Sequence, residues 1–322
     1  MHLPRLLNHG LELYQTKYKM QKIVISILNF NSTKETIECL ESLLKVNFEG
    51  IEVSTIVRDN GSNEKFKIDS SKYKKINLEI DFGKLNLGFS GGHNVIIKKA
   101  LKGEADFVLI LNNDVILDRD FLVKLLVIAQ SSSKIGVVVP KIYFEKGYEF
   151  HKDKYKDSEL GKVIWYAGGE MDWANLIGFH RGVDHVDLSQ FDEVVETPFP
   201  TGACMLVSRK VIDSVGIFDE RYFLYYEDSD WAMRIKRADF KIIYAPESRI
   251  WHKNAASSGS GSPLHDYYIT RNRMLFGMKY ASLKTKSALV RESVKTFISG
   301  RKWQRIGIRD YYLKKFGKGS YS

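Results

Sequence analysis

Short apolar runs alternate with amphipathic segments over residues 22–140, and this alternation predicts strands that alternate with helices. The predicted strands are Ile23–Leu28, Glu52–Val57, Leu78–Ile80, Phe107–Leu111 and Gly136–Val139. The predicted helices, which place apolar residues on one face, are Thr33–Lys45, Gly92–Leu101 and Phe121–Ala129. The pattern favours an α/β fold of Rossmann-like type, in which helices flank a mostly parallel central sheet.

The regular pattern weakens after Pro140. Residues 151–189 are rich in Gly, Trp, Tyr and charged residues, which is typical of irregular structure or a meander. The elements predicted beyond it are a helix at Asp228–Arg237, a strand at Lys241–Ala245, a flexible loop or lid at Ser257–Ser262 and a mainly helical tail from His265 to about Gly317.

Composition excludes several classes of protein. The 322 residues include only two cysteines, Cys39 and Cys204, so a disulfide scaffold and a multi-cysteine zinc site are excluded. No apolar run approaches the roughly 18 residues of a membrane-spanning helix. No signal-peptide pattern follows Met1, and we therefore expect a cytoplasmic protein.

The positive charge of the chain is confined to its C-terminal segment. The whole chain carries 49 Lys and Arg against 39 Asp and Glu, a net charge of +10. Residues 263–322 alone hold 14 basic and 3 acidic residues, so the remaining residues are close to neutral. Such a segment suits an anionic membrane surface, or is simply a solvated helical face. No recognised nucleic-acid module accompanies it, so we expect no nucleic-acid partner.

Apolar residues interleave with these basic residues, which predicts a helical tail lying on the membrane surface. The apolar residues assigned to the membrane face are Leu275, Phe276, Met278, Tyr280, Leu289, Phe297, Trp303, Ile306 and Ile308.

Polar residues follow three of the predicted strands. They are Asn29 and Asn31 after the first strand, Asp59 and Asn60 after the second, and Asn112, Asn113 and Asp114 after the strand at Phe107–Leu111. Ligands of open α/β sheets bind at the carboxyl ends of the strands, so these residues predict one shared ligand site. A plain turn is the alternative at each position alone.

A glycine-rich segment at residues 86–94 leads into a predicted helix. It contains Gly88, Phe89, Ser90 and Asn94, and its glycines allow the backbone to approach a ligand closely. The N-terminus of a helix favours an anion such as a diphosphate. A carboxylate at Asp114 would suit a Mg²⁺ or Mn²⁺ ion that bridges phosphate oxygens.

Three carboxylates cluster within Glu227-Asp228-Ser229-Asp230, directly after two tyrosines. They would repel one another unless a cation, an arginine or a catalytic task uses them. An acidic first turn of a helix is the plain alternative. His252 ends a later apolar stretch, where a lone histidine is usually an ordinary core or surface residue.

In their order along the chain these motifs resemble glycosyltransferase family 2, the inverting nucleotide-sugar enzymes with a GT-A fold. The resemblance covers roughly Gln21 to His265. The matching motifs are Asn29-Phe30-Asn31, Asp59-Asn60-Gly61-Ser62, Asn86-Leu87-Gly88-Phe89-Ser90, Leu111-Asn112-Asn113-Asp114, Pro200-Thr201-Gly202-Ala203 and Glu227-Asp228-Ser229-Asp230-Trp231 with Arg234. Within the family the chain looks most like the rhamnosyltransferase-like branch, which builds bacterial surface polysaccharides.

The resemblance implies a role for each matched residue. Asp228 would be the general base, with Glu227 beside it. The implied donor-binding residues are Asn29, Asn31, Asp59, Asn60, Gly88, Phe89, Ser90, Asn94, Asn112 and Asn113. The implied acceptor-binding residues are Gly202, Tyr226, Trp231 and Arg234. Asp114 and His252 would bind Mn²⁺ or Mg²⁺; Asn112 replaces the first aspartate of the metal motif, which leaves the contact mainly to Asp114.

The resemblance also implies a function and a division of the chain. We expect transfer of rhamnose from dTDP-rhamnose to a glycan or lipid-linked saccharide, at the inner face of the cell membrane. The expected divisions are an extension at 1–20, a catalytic domain at 21–262 with a nucleotide-binding half at 21–140 and an acceptor half at 141–262, and a basic helical tail at 263–322.

Other functions stay open at this point. A UDP-sugar-dependent transferase and a non-catalytic nucleotide-sugar- or carbohydrate-binding protein would share the fold. A nucleotidyltransferase is less favoured, because it would need a glycine- and lysine-rich phosphate loop directly after the first strand.

Overall fold

The computed structural model describes residues 20–254 and 261–321. The predicted extension at residues 1–20 therefore lies outside the described residues except for Met20, and so does most of the predicted loop at Ser257–Ser262. The strands are β1 Gln21–Asn29, β2 Ile51–Asp59, β3 Leu78–Phe82, β4 Phe107–Leu111, β5 Val115–Leu117, β6 Ile135–Phe144, β7 Ile164–Tyr166, β8 Gly169–Asp172, β9 Ile177–His180, β10 Val195–Glu196, β11 Cys204–Ser208 and β12 Lys241–His252.

Helices connect or cover these strands. They are α1 Thr33–Leu43, α2 Gly88–Lys102, α3 Phe121–Gln130, α4 Arg209–Val215, α5 Glu227–Arg237, α6 Pro263–Tyr280, α7 Leu283–Ser299 and α8 Lys302–Tyr312, with short 3₁₀ helices at Ser70–Ile76 and Lys152–Lys154. The α/β fold and the helical C-terminal region are thus confirmed.

One mixed sheet forms the centre of the protein. Its strands follow the order β10-β12-β6-β11-β4-β1-β2-β3, with β5 beside β12 and β7 beside β6. The four strands from β4 to β3 pair in parallel, as predicted for the first half of the chain. Strand β11 runs antiparallel to both β4 and β6. It follows an irregular segment rather than a crossover helix, so the chain enters the sheet from the opposite end.

The apolar runs place the strands in the core and bring the strand ends together. All five residues of β4 are buried, and the buried face of α3 packs over the sheet. Asn29 at the end of β1 lies opposite Asp59 at the end of β2. Leu111 at the end of β4 lies opposite Ile27. The polar residues that follow these strands therefore share one edge of the sheet.

Two of the elements that extend beyond their predicted bounds bear on the site. Helix α2 begins at Gly88 rather than Gly92, because the carbonyl of Phe223 accepts from the backbone N–H of Phe89 at 2.7 Å and satisfies an otherwise unpaired donor of the first turn. Strand β12 continues past Ala245 to His252 through an irregularity in its pairing with β6. This continuation carries His252 to the edge of the sheet where β4 ends.

The C-terminal helices pack against the body of the protein. Leu275, Phe276, Leu289 and Ile308 are buried in one cluster, which also contains Tyr222 of the body. Most of the apolar residues that we assigned to a membrane face are therefore buried or half-buried; only Phe297 of that group is among the exposed large apolar residues. The interleaved pattern arises from amphipathic helices that cover a protein surface. Among residues 20–254 and 261–321, none of the helices is long and apolar enough to cross a membrane.

Candidate active site

A cavity of about 1000 Å³ opens between the edge of the sheet and the C-terminal helices. It brings together residues that lie far apart along the chain. The predicted site residues on its wall are Phe89, Asn112, Gly202, Tyr226, Glu227, Asp228 and His252. Residues predicted for donor binding, acceptor binding, catalysis and metal binding thus line one cavity.

The carboxylates of Glu227 and Asp228 face this cavity from the first turn of α5. The side chain of Asp228 accepts hydrogen bonds from the backbone N–H of Ser229 at 2.6 Å and from its hydroxyl at 3.3 Å. A backbone N–H of Gly202 also donates to this carboxylate. Glu227 is 5% exposed, and its Oε2 has no hydrogen-bond partner among the described residues.

The pair shares its negative charge unequally. Burial raises the pKa of Asp228, while the donors on Ser229 and Gly202 work against that rise. Burial and the neighbouring charge of Asp228 raise the pKa of Glu227 well above its usual range. The hydrogen-bond donors therefore favour the negative charge of the pair on Asp228 over Glu227. A charged carboxylate with a raised pKa is suited to accept a proton from a hydroxyl group.

The backbone before this pair is unusual. Phe223, Tyr225 and Tyr226 have φ angles of 66°, 68° and 71°, in the left-handed region that side chains rarely adopt. Three such residues in four positions need strong restraint from their surroundings. We call residues 221–226 the catalytic loop.

Helix α6 supplies that restraint. The side-chain amide of Asn272 donates to the carbonyls of Tyr222, Leu224 and Tyr225 at 2.9, 2.7 and 2.9 Å. The guanidinium of Arg271, which is fully buried, donates to the carbonyls of Arg221 and Tyr222 at 3.1 and 2.9 Å. The catalytic loop is thus fixed by residues about 50 positions further along the chain.

The glycine-rich segment is joined to the catalytic loop. Gly88 has a φ angle of 72°, and a Cβ atom there would lie 2.3 Å from the carbonyl oxygen of Phe223. Gly202 faces the ring of Phe89 on the other side, where a Cβ atom would lie 2.7 Å from its Cζ atom. Close packing of backbone and ring at these two glycines connects the predicted donor and acceptor sides.

The residues at the strand ends organise the edge of the sheet. Asp59 is 2% exposed and accepts from the backbone N–H groups of Ser62 and Phe66 at 3.0 and 2.8 Å. Burial opposes the charge of Asp59, but these donors and Arg58 hold its pKa below the usual range. Asp59 is therefore charged, and its oxygens keep acceptor capacity for a base N–H.

Asparagine side chains connect the neighbouring loops. The amide of Asn60 donates to Asn86 and to the carbonyl of Gly88, both at 3.1 Å. The side-chain amide of Asn29 donates to the hydroxyl of Ser62. The side-chain oxygen of Asn31 accepts from the backbone N–H of Asn63 at 2.8 Å. These contacts set the positions of the loops that follow β1 and β2.

Asn113 and Ser90 also lie near this edge. Asn113 donates to the hydroxyls of Ser32 and Thr36 at 3.0 and 2.8 Å. Ser90 is fully buried in the first turn of α2, and its hydroxyl has no hydrogen-bond partner among the described residues.

The wall of the cavity does not include the other predicted site residues, which are Asn29, Asn31, Asp59, Asn60, Gly88, Ser90, Asn94, Asn113, Asp114, Trp231 and Arg234. Three of these lie in and around α5. Asn94 is buried and holds the backbone of Phe218. Its side-chain amide donates to the Phe218 carbonyl at 2.9 Å, and its side-chain oxygen accepts from the Phe218 backbone N–H at 3.0 Å. Trp231 is fully buried and donates to the carbonyl of Gly216 at 2.9 Å. Arg234 donates to Asp230 at 2.9 Å and to two backbone carbonyls. All three use their polar atoms to hold the fold around α5.

Asp114 contacts His252, which lines the cavity together with Asn112. The Oδ1 atom of Asp114 and the Nε2 atom of His252 are 3.0 Å apart, and the side-chain amide nitrogen of Asn112 is 3.4 Å from the same Nε2. The described residues contain no group of three or more His, Cys, Asp or Glu that could hold a metal ion. Two protein ligands nevertheless fit a divalent cation that is held mainly by substrate phosphates.

The sequence patterns did not reveal several residues of the cavity wall. The ring of Trp165 contacts two histidine rings, with centroid distances of 4.3 Å to His180 and 4.5 Å to His252. Burial lowers the pKa of His180 to about 4, so this histidine is neutral. His265, from α6, also lines the cavity. No spacing in the irregular segment or the tail could have indicated these residues.

Comparison with known proteins places this site in a family. The chain is 26% identical over 270 residues to the low-salt glycan biosynthesis hexosyltransferase Agl10 of Haloferax volcanii, which covers 82% of this chain and 79% of the relative. It is 23% identical over 229 residues to the dTDP-rhamnosyl transferase RfbF of Shigella flexneri, with 68% and 69% covered.

A solved structure and a family model agree with these relatives. The crystal structure of GalNAc-T7 with UDP, GalNAc and Mn²⁺ matches with a TM-score of 0.56 at 16% identity, over 73% of this chain and 44% of that chain. The similarity supports the GT-A fold. The model of the "Glycosyltransferase like family 2" matches residues 21–277. The chain therefore belongs to the glycosyltransferase-like family 2.

Proposed function

We propose that this glycosyltransferase inverts the anomeric centre of the sugar it transfers, in a single displacement with Asp228 as general base. The observation that carries the proposal is the adjacent pair of Glu227 and Asp228 at the wall of the cavity, where Ser229 donates hydrogen bonds to the Asp228 carboxylate. A protein that only bound a nucleotide sugar would gain nothing from the cost of burying two adjacent carboxyl groups.

The proposed chemistry is one displacement at the anomeric carbon. Asp228 accepts the proton of an acceptor hydroxyl as that oxygen attacks the anomeric carbon from the face opposite the diphosphate. The bond from the anomeric carbon to the diphosphate oxygen breaks, and the nucleoside diphosphate leaves with the electron pair. General-base assistance of this kind contributes about 10²–10⁴-fold in rate.

The residues at the edge of the sheet form the donor side of the proposed active site. Asp59 would accept from the base, while the N-terminus of α2 would favour the diphosphate. Asp114 and His252 would hold a Mn²⁺ or Mg²⁺ ion, which when bound stabilises negative charge on the departing phosphate oxygens. A location in the cytoplasm, at the inner face of the membrane, is part of this proposal.

We propose rhamnose from dTDP-rhamnose as the donor, and a hydroxyl of a glycan or lipid-linked saccharide as the acceptor in surface polysaccharide synthesis. The name of the relative RfbF, a dTDP-rhamnosyl transferase, supports this donor. A UDP-sugar is the second candidate, and the GalNAc-T7 structure contains UDP.

Thermal unfolding with a panel of donors tests the proposal. The panel contains dTDP-rhamnose, UDP-sugars and GDP-mannose, each with and without Mn²⁺. A ligand at about 100 times its Kd stabilises the folded state by about 2.7 kcal/mol, so the true donor is expected to raise the unfolding temperature measurably. We expect the largest rise with dTDP-rhamnose and Mn²⁺. A larger rise with a UDP-sugar would replace rhamnose, and no rise with any donor would overturn the proposal.

A further inference from the structure

Helix α7 carries a row of exposed apolar residues on the side that faces solvent. We call this row the outer stripe; its members are Leu283, Val290, Val294, Phe297 and Ile298. Their exposed fractions run from 39% at Val290 to 85% at Leu283. Positions spaced by 3, 4 and 7 residues fall on one face of a helix, so the members of the stripe share one face of α7. Exposed apolar stripes of this kind usually mark a binding surface.

Basic residues border the outer stripe on one side. Lys284, Arg291 and Lys295 follow it around the helix, and we call them the basic flank. All three are exposed, and no carboxylate of residues 20–254 or 261–321 forms an ion pair with them.

The acidic residues of the C-terminal helices do not offset this charge. Asp266 pairs with Arg301, Asp310 with Arg309, and Glu292 with Arg273. Each acidic group of residues 263–321 thus neutralises a different basic residue. The three residues of the basic flank therefore keep their positive charge without a carboxylate partner among the described residues.

The opposite face of α7 contributes to the cavity. Leu289, Glu292, Ser293 and Thr296 line the cavity that also contains Asp228. One helix therefore separates the outer stripe from the active-site cavity.

An apolar stripe beside unpaired basic residues matches the composition of a helix that lies in the plane of an anionic membrane. A second copy of this chain is the less suitable occupant, because pairing would bring two strongly basic surfaces together. We propose that the outer stripe and basic flank of α7 dock the protein on an anionic lipid surface, with the cavity opening close to that surface. The docking does not depend on the proposed sugar transfer. The inference that docking brings the cavity to a lipid-linked acceptor does rest on that proposed function.

Sedimentation of the full chain with lipid vesicles tests the docking. Vesicles of phosphatidylcholine alone are compared with vesicles that also contain phosphatidylglycerol, at low and high salt, without donor or acceptor. We expect binding to the anionic vesicles that weakens with salt. The triple variant Val294→Ser, Phe297→Ser, Ile298→Ser should lower the partition coefficient at least about tenfold.

Two further variants keep the test decisive. Charge reversal of the basic flank, Lys284→Glu, Arg291→Glu, Lys295→Glu, should also lower binding at least about tenfold, since each basic residue near an anionic surface contributes roughly fivefold. A matched control replaces exposed apolar residues outside the C-terminal helices, Tyr148→Ser, Phe150→Ser, Leu188→Ser, and should bind like the wild type. The unfolding temperature of each variant confirms that it is folded.

Three results would overturn the proposal. The first is a folded stripe variant that sediments like the wild type. The second is a flank variant that keeps its preference for anionic vesicles. The third is a wild type that self-associates through the stripe and ignores vesicles, as analytical ultracentrifugation would show. None of these results bears on whether the cavity transfers sugar, which the donor panel addresses separately.

Discussion

The donor side and the catalytic side of the proposed active site are held in place by different means. On the donor side, Asp59, Asn60 and their neighbours bond to loops within about 30 residues of themselves, at the ends of adjacent parallel strands. On the catalytic side, the loop at residues 221–226 depends on Arg271 and Asn272, which belong to another part of the chain. The donor side is therefore a property of the sheet, whereas the catalytic side requires the C-terminal helices.

This difference gives the basic tail a structural role in the catalytic side of the site. Removal of residues 263–322 would delete the donors that hold three left-handed residues beside Glu227 and Asp228. A truncated chain would lose activity for that reason alone, whatever the tail does at a membrane. Single substitutions are needed to separate the two roles.

Replacement of Gly88 by alanine should have the largest effect, because Gly88 is where the two sides touch. The added Cβ atom would lie 2.3 Å from the Phe223 carbonyl oxygen, at a φ angle of 72°. We expect a loss of about 2 kcal/mol or more in the free energy of unfolding, together with loss of transfer. Chemical denaturation measures the first and release of nucleoside diphosphate the second.

Gly103→Ala is the matched control for this substitution. Gly103 ends the same helix with a φ angle of −83°, and a Cβ atom there would meet only ordinary contacts at 3.6 Å and beyond. Equal destabilisation by both substitutions would show that contact with the catalytic loop is not what makes Gly88 necessary.

Asn272→Ala should affect the catalytic side alone. It removes the donor shared by three loop carbonyls, at a cost of about 1–3 kcal/mol for a buried unsatisfied group. We expect kcat to fall at least about tenfold while the Kd for the donor stays near the wild-type value. Calorimetric titration with the donor and steady-state kinetics separate the two constants. Equal losses in donor binding and kcat would contradict the division between the two sides.

Asp114→Asn should affect the donor side alone. It neutralises the carboxylate that converges with His252, so the Mn²⁺ concentration for half-maximal rate should rise at least about tenfold. Asp118→Asn, on the same segment but paired with Lys124, is the control and should leave this concentration unchanged. A metal requirement that is identical in both variants would remove Asp114 from the proposed metal site.

The smallest effect is expected for Glu227→Gln on the pH dependence of the rate. Asp228 acts as the carboxylate, so a raised pKa means that activity is lost as the pH falls through a value above the ordinary 3.8 of an aspartate. Glu227→Gln replaces the carboxyl group that is the weaker acid of the pair by a neutral amide of similar shape. Because the negative charge of the pair is favoured on Asp228, we expect the acid limb of the pH–rate profile to stay in place in this variant. A shift of this limb to lower pH would show that Glu227 is charged at the pH where Asp228 titrates.

The donor side was predictable because its signals are local. Buried apolar runs end at the residues that form the site, and parallel strands bring those ends to one edge. The register of Asn29 with Asp59 is the result that this rule predicts. The acidic pair at Glu227 and Asp228 was also visible, because adjacent carboxylates are costly without a task.

The catalytic side was only partly predictable because its restraints are long-range. Arg271 and Asn272 look like ordinary polar residues of a basic helix, and only the fold shows that they are buried against the catalytic loop. Trp231 and Arg234 have helical spacing from Asp228 but point into the packing around α5. The apolar residues of the tail likewise divide between a buried face and the outer stripe, which composition alone cannot distinguish.

The most direct test of the account is one comparison on purified Asp228→Asn and wild-type protein. Calorimetry gives the Kd for the donor, and nucleoside diphosphate release with acceptor gives the rate. The account predicts an unchanged Kd and a rate lowered by about 10²–10⁴-fold, because Asn cannot accept the proton. A variant that binds the donor and transfers sugar at close to the wild-type rate would contradict the assignment of Asp228 as the base.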